Sequence, residues 1–154
     1  MSDVWPVVHT ERRSLISFLE SIEPSQWDEP SLCPGWTVHD VVAHVVDTAK
    51  IVHGEDIRHP LGATHAYPLP AVERALQLQA RTSQSWGGAK ELLAGLTFRA
   101  DDTGTSIGSG PAVTGSALSL LMVASGRSAF LPQLDGPGAP TLASRLDEGS
   151  RQHG

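Results

Sequence analysis

The sequence predicts a mainly α-helical protein with a small α/β segment after the helices. Apolar residues recur at helical spacing through the first half of the chain. From Leu96 the pattern changes to alternation, broken by turn residues. A compact apolar run from Ser116 to Ser125 then returns to helix.

Residues 3–22 read as an amphipathic helix. Asp3 is placed to cap it, and Pro6 falls in the first turn, where a backbone N–H has no helical partner anyway. Val4, Val7 and Val8 open its stripe and Leu15, Phe18, Leu19 and Ile22 continue it, with Glu11, Arg12 and Arg13 interrupting between them. Residues 23–36 hold three prolines and Gly35 around Trp27, Cys33 and Trp36, the composition of a loop pinned by large side chains. Thr37 followed three residues later by Asp40 has the form of a capping box and opens a helix whose buried face is Val38, Val41, Val42, Val45 and Val46. From Ile51 the chain is helical until Pro60 and Gly62 stop it. Pro70 to about Ser85 is a further helix, with Val72, Ala75, Leu76 and Leu78 inward.

Leu96–Ala100, Thr105–Gly108 and Ala112–Thr114 are the expected strands, the first two joined by the turn residues Asp101, Asp102, Thr103 and Gly104. The Gly108-Ser109-Gly110 segment reads as a turn and not a phosphate loop, because no helix follows it directly. Thr141–Leu146 closes the chain as a short helix before a polar tail.

The formal net charge of −6 disfavours phosphate backbones and anionic membranes as partners. A single cysteine, Cys33, rules out an internal disulfide and reads as a packing residue. No signal peptide or apolar run long enough to span a bilayer is visible, so a cytoplasmic protein is expected.

Three segments, in order, resemble the mycothiol-dependent maleylpyruvate isomerase family of the DinB-like superfamily. The first is Trp36-Thr37-Val38-His39-Asp40-Val41-Val42-Ala43-His44, similar to that family's Trp-Thr-Val-Arg-Asp-Val-x-x-His. The second is Val52-His53-Gly54-Glu55-Asp56-Ile57-Arg58, similar to its His-Gly-x-Asp-Ile segment. The third runs from Leu93 through Gly108, Gly110, Pro111 and Gly115 to Gly126-Arg127. The resemblance implies a DinB-like helical bundle, incomplete within one chain, followed by a small α/β segment. It implies residues 1–66 as the metal-binding helical region, 67–148 as a connecting helix with the α/β region, and 149–154 as a disordered tail.

The resemblance also implies a divalent metal, usually zinc, held by a histidine of the second helix and an acidic-x-x-x-His pair of the last. His44 matches the first and His53 the last; the acidic position is Ala49 here, which leaves Asp47 as the nearest candidate third ligand. An ordinary reading of His44 is a half-buried ring satisfied by Asp40 or Asp47. Asp56 reads as a structural residue, a cap or a partner of Arg58 or Arg12.

Spacing is the main departure, since the two motifs lie tens of residues apart in the family. Here nine residues separate His44 from His53, and nine steps of ~100° along an unbroken α-helix set them on opposite faces. Either the chain turns back near Asp47–Lys50, or two copies exchange helices and build the site between them. The dimer is the preferred expectation, because a bundle short of a helix exposes an apolar face.

By resemblance, the activity is isomerisation of a small electrophile, or transfer of a thiol to it, with mycothiol as the thiol. A zinc with an open position supplies Lewis acidity and keeps a bound thiol ionised at neutral pH. Two rivals stand beside this: a catalytically inactive, dimeric remnant acting as a binding or structural module, and a binder of small apolar ligands.

Overall fold

The computed structural model describes residues 4–152, with side chains through residue 149. Contacts divide the chain into two compact units that meet at Val42 and Ala43.

The first unit begins with α1, Trp5–Glu20. The expected cap, Asp3, lies outside the described residues; Val4 occupies the capping position without a side-chain bond. Pro6 sits in the first turn, and its carbonyl accepts from the Thr10 hydroxyl at 2.8 Å. No side chain of α1 is buried, and Val4, Trp5, Val7, Leu15, Ile16 and Phe18 are 45–65% exposed. After a 3-10 turn at Pro24–Asp28, the loop closes on itself. The Ser31 N–H donates to the Trp36 carbonyl at 2.8 Å, and the Val38 N–H to the Glu29 carbonyl at 2.9 Å. Trp27 and Trp36 are half-buried, which explains how a proline-rich segment holds one shape. The capping box forms as its spacing predicts. The Asp40 N–H donates to Thr37 Oγ1 at 3.2 Å and the Thr37 N–H to Asp40 Oδ2 at 3.1 Å, opening α2, Val38–Ala43.

In the second unit the helix does not turn back. It passes through a π-helical turn, His44–Thr48, straight into α3, Ala49–Arg58. The expected valine face is not buried: Val38, Val41 and Val42 are half-buried, and Val45 and Val46 are 44% and 41% exposed. The π turn packs its Asp47–Thr48 side against the next helix, which leaves Val45 and Val46 facing outward. A 3-10 turn at His59–Leu61 and a left-handed Gly62 end this segment, as Pro60 and Gly62 predict.

Helix α4 is Leu69–Arg81, buried along Val72, Ala75, Leu76 and Leu78. It stops before the expected Ser85, with the Thr82 hydroxyl donating to the Leu78 carbonyl at 2.7 Å and a 3-10 turn at Gln84–Trp86 following. The three strands are β1 Thr97–Ala100, β2 Ser106–Gly108 and β3 Ala112–Gly115, in the order β2-β1-β3. β1 pairs antiparallel with β2 and parallel with β3, so Phe98 lies level with both Ile107 and Val113. Gly110 adopts φ +130° with the Gly95 carbonyl against it, where any Cβ would collide.

Helix α5, Ala117–Ala124, is capped by Ser116 Oγ accepting from the Ser119 N–H at 3.0 Å. Its Leu120, Leu121, Met122 and Val123 are fully buried and join α3, α4 and the sheet in one core. α6 runs Ala139–Gln152, longer than the predicted Thr141–Leu146, and residues 153 and 154 of the expected tail lie outside the described residues. It docks through Leu142 in the core, and Arg145 Nη1 donates to the carbonyls of Leu92 and Ala94 at 2.7 and 2.8 Å. Among the described residues, no helix is long and apolar enough to cross a membrane.

Candidate functional site

The π turn changes the geometry of the two candidate ligand histidines. A π turn accommodates one extra residue relative to an α turn, so nine residues count as about eight α-steps and His53 lies ~80° around the axis from His44, not ~180°. The two rings therefore share one side of a continuous helix, and the His53 charge acts on His44. Burial and, second to it, that neighbouring imidazole push the His44 pKa below its ordinary value. His44 is accordingly neutral at pH 7, the form that can accept a proton or bind a cation. His53 Nδ1 is 3.0 Å from Asp56 Oδ2, which leaves Nε2 as the ring atom available to a ligand.

Axial distance still separates them. Nine residues of helix rise roughly 13 Å, too far for two imidazoles to meet at one cation. Asp47, the third candidate, is buried beneath α4 in a pair with Arg74: both Arg74 Nε and Nη2 reach Asp47 Oδ2 at 2.9 Å. Among the described residues, no three His, Cys, Asp or Glu side chains converge as a metal requires. A single chain therefore does not fit the metal centre that the family motif implies.

Asp47 and His53, but not His44, border an open cleft of about 660 Å³ between the π turn with α3 and the segment that leads into α4. Asp47, Lys50, His53, Arg58, His65 and Tyr67 supply its polar groups, and Val46, Ile51, Ile57 and Pro68 are among its apolar walls. At one side lies a hydrogen-bonded chain that the sequence did not announce. Arg58 Nη1 donates to the Tyr67 hydroxyl at 2.8 Å, which donates to Glu55 Oε1 at 2.9 Å. Burial, then the Glu55 carboxylate, pushes the Tyr67 pKa up to about 12, so the phenol stays protonated and remains a donor. Gly54 makes room for this chain: a Cβ there would stand 2.5 Å from Arg58 Nη1 and 2.7 Å from Tyr67 Oη. The glycine of the His-Gly-x-Asp-Ile motif thus has a packing reason. The signal for Tyr67 was its being the only tyrosine, set just ahead of Pro68, which periodicity does not register.

Asp56 corrects another expectation. Its partner is not Arg58 or Arg12 but Arg127, whose Nε and Nη2 donate to Oδ1 and Oδ2 at 2.9 and 2.6 Å. This fork ties the second motif to the Gly126-Arg127 end of the third. Hydrogen bonding from Arg127, with a lesser share from His53, lowers the Asp56 pKa from 3.8 to about 2. A carboxylate whose folded-state pKa is depressed contributes stability above its unfolded value and loses it as pH falls. Stability should therefore decline between about pH 4 and pH 2, and Asp56→Asn should flatten that decline in urea titrations at stepped pH. An equal slope in the variant would remove Asp56 as the cause.

Among the described residues, the other histidines sit against aromatic rings rather than one another. His9 stacks on Trp5, His39 meets the edge of Trp27, His59 lies 4.6 Å from Phe130 and His65 4.7 Å from Tyr67. Cys33 is free and half-buried.

The model of the mycothiol maleylpyruvate isomerase N-terminal domain matches residues 8–118. No curated protein and no solved structure matches the chain. The matched span runs from α1 through the sheet to the start of α5 and includes both histidine motifs, the cleft and the Gly54 chain, so the protein belongs to the mycothiol maleylpyruvate isomerase N-terminal domain family.

Proposed function

We propose that the protein is a thiol-dependent isomerase or S-transferase of the maleylpyruvate isomerase type. It uses mycothiol or a related low-molecular-weight thiol on a small electrophile, in the cytoplasm. His44 and His53 are the proposed ligands of a divalent cation, zinc by family chemistry, with Asp47 the third candidate. The observation that carries this reading is the π turn, which sets the two motif histidines on one side of a helix bordered by a cleft. Because one chain does not bring three ligands together, the complete centre belongs to a homodimer, each copy contributing part of it.

In this reading the chain's own groups bind and orient. The apolar walls of the cleft take the body of the electrophile, and Lys50 and Arg58 offer positive charge beside it. When bound, a zinc ion would lower the thiol's pKa.

A second reading, an inactive dimeric remnant acting as a binding or structural module, is favoured by the Asp47–Arg74 pair and by Ala49 at the acidic position. Metal analysis of untagged protein, with a mycothiol-dependent assay of cis-to-trans isomerisation on maleylpyruvate, separates the two. The enzyme reading expects about one metal per shared site, lost together with turnover in His44→Ala. Metal-free protein, inert with the thiol and unchanged in stability by chelator, sinks it in favour of the remnant.

A further inference from the structure

Helix α1 has nearly the same pattern from either end. Large apolar residues occupy Val4, Trp5, Val7 and Val8 in its first half and Leu15, Ile16, Phe18 and Leu19 in its second, with Glu11 and Arg12 at the centre. Inverting the helix about the Glu11–Arg12 bond brings Val4 level with Leu19, Trp5 with Phe18, Val7 with Ile16, Val8 with Leu15, and Glu11 with Arg12. At ~100° per residue, all ten fall within about half of the circumference. Six of the eight apolar side chains are exposed, and neither Glu11 nor Arg12 has a partner among the described residues.

We propose that α1 is a self-association surface that pairs antiparallel with α1 of a second copy, across a twofold axis between Glu11 and Arg12. The inference gives a location to the two-copy assembly proposed above, and rests on that reading only for the presence of a second copy. Charge selects both partner and direction. An antiparallel pair sets each Glu11 level with the other copy's Arg12, giving two opposite-charge contacts inside an otherwise apolar seam. A parallel pair would set Glu11 level with Glu11 and Arg12 level with Arg12, and like charges at an interface are repulsive. An anionic lipid surface suits the helix poorly. The opposite face carries His9, Thr10, Arg13, Ser14, Ser17 and Glu20, not the Lys/Arg-rich face of interfacial helices. Exposed apolar patches beyond a few hundred Å² mark interaction sites in soluble proteins.

Sedimentation equilibrium on the full chain tests the inference, with circular dichroism to verify that each variant stays helical. The native protein is expected to dimerise at micromolar concentration. Glu11→Arg and Arg12→Glu should each weaken the dimer roughly tenfold or more, and the double variant should recover it. In a Cys33→Ser background, oxidation should cross-link Val8→Cys/Leu15→Cys chains, and neither single variant. A dimer indifferent to both charge changes, or cross-linked by one cysteine alone, overturns the α1 pairing and leaves the two-copy reading standing. A monomer ends both, whether or not it binds anionic vesicles.

Discussion

Phe98→Ala is expected to remove about 3–5 kcal/mol of folding stability, the range for deleting a fully buried aromatic ring. Phe98 is the largest side chain with almost no exposure, central in β1 and level with Ile107 and Val113 on the flanking strands. It belongs to the same core as Leu120 and Leu121 of α5, so the truncation opens a cavity where the sheet packs on that helix. Against a typical total of about 5–15 kcal/mol, that loss is a large fraction. A urea titration reads it as a fall in midpoint at nearly constant slope. A midpoint within experimental error of the native one would show that the sheet does not pack against α5.

Gly54→Ala comes next, at about 1–2 kcal/mol, because it displaces the Arg58 and Tyr67 ends of one hydrogen-bonded chain. A methyl group there cannot coexist with the Arg58 guanidinium and the Tyr67 hydroxyl in their present positions. Both must move, and the buried Glu55 carboxylate then loses the phenol that donates to it. Ala has a higher intrinsic helix propensity than Gly by up to about 1 kcal/mol, so a destabilised variant would be losing specific contacts against a favourable backbone term. Tyr67→Phe isolates the hydrogen-bonded part and is expected to cost about 1–3 kcal/mol. Should Gly54→Ala prove neutral or stabilising by thermal melting, the Arg58–Tyr67–Glu55 chain is not a constraint on the fold.

Much of the fold was legible because period is a strong signal where elements are buried on one side. The α4 stripe, the alternating residues around Phe98 and the apolar run of α5 all point inward as their spacing predicts. The Thr37–Asp40 box was legible for a different reason, since both partners are local and three residues apart. The valine face of α2 was not, because period tells which residues share a side and not whether anything covers it. The π turn was invisible for a related reason: apolar spacing is counted in α-steps, and one wider turn resets the count without any glycine or proline to mark it. At the site, His44 and His53 could be picked out only through the resemblance, whereas the roles of Arg58, Tyr67, Arg74 and Arg127 depend on contacts over longer separations. Such pairings carry no periodic trace.

The wide turn at His44–Thr48 also sets how the two stretches of helix are indexed against each other. Winding it as plain α-helix with every residue kept would rotate everything downstream by ~100° relative to what precedes it. Ile51, Val52 and Glu55 would then lose their inward heading or His44 would lose its neighbour, because both cannot be kept in phase. The extra residue works as a spacer between two gears, allowing one rod to satisfy a buried packing surface and keep the two motif histidines on one side together.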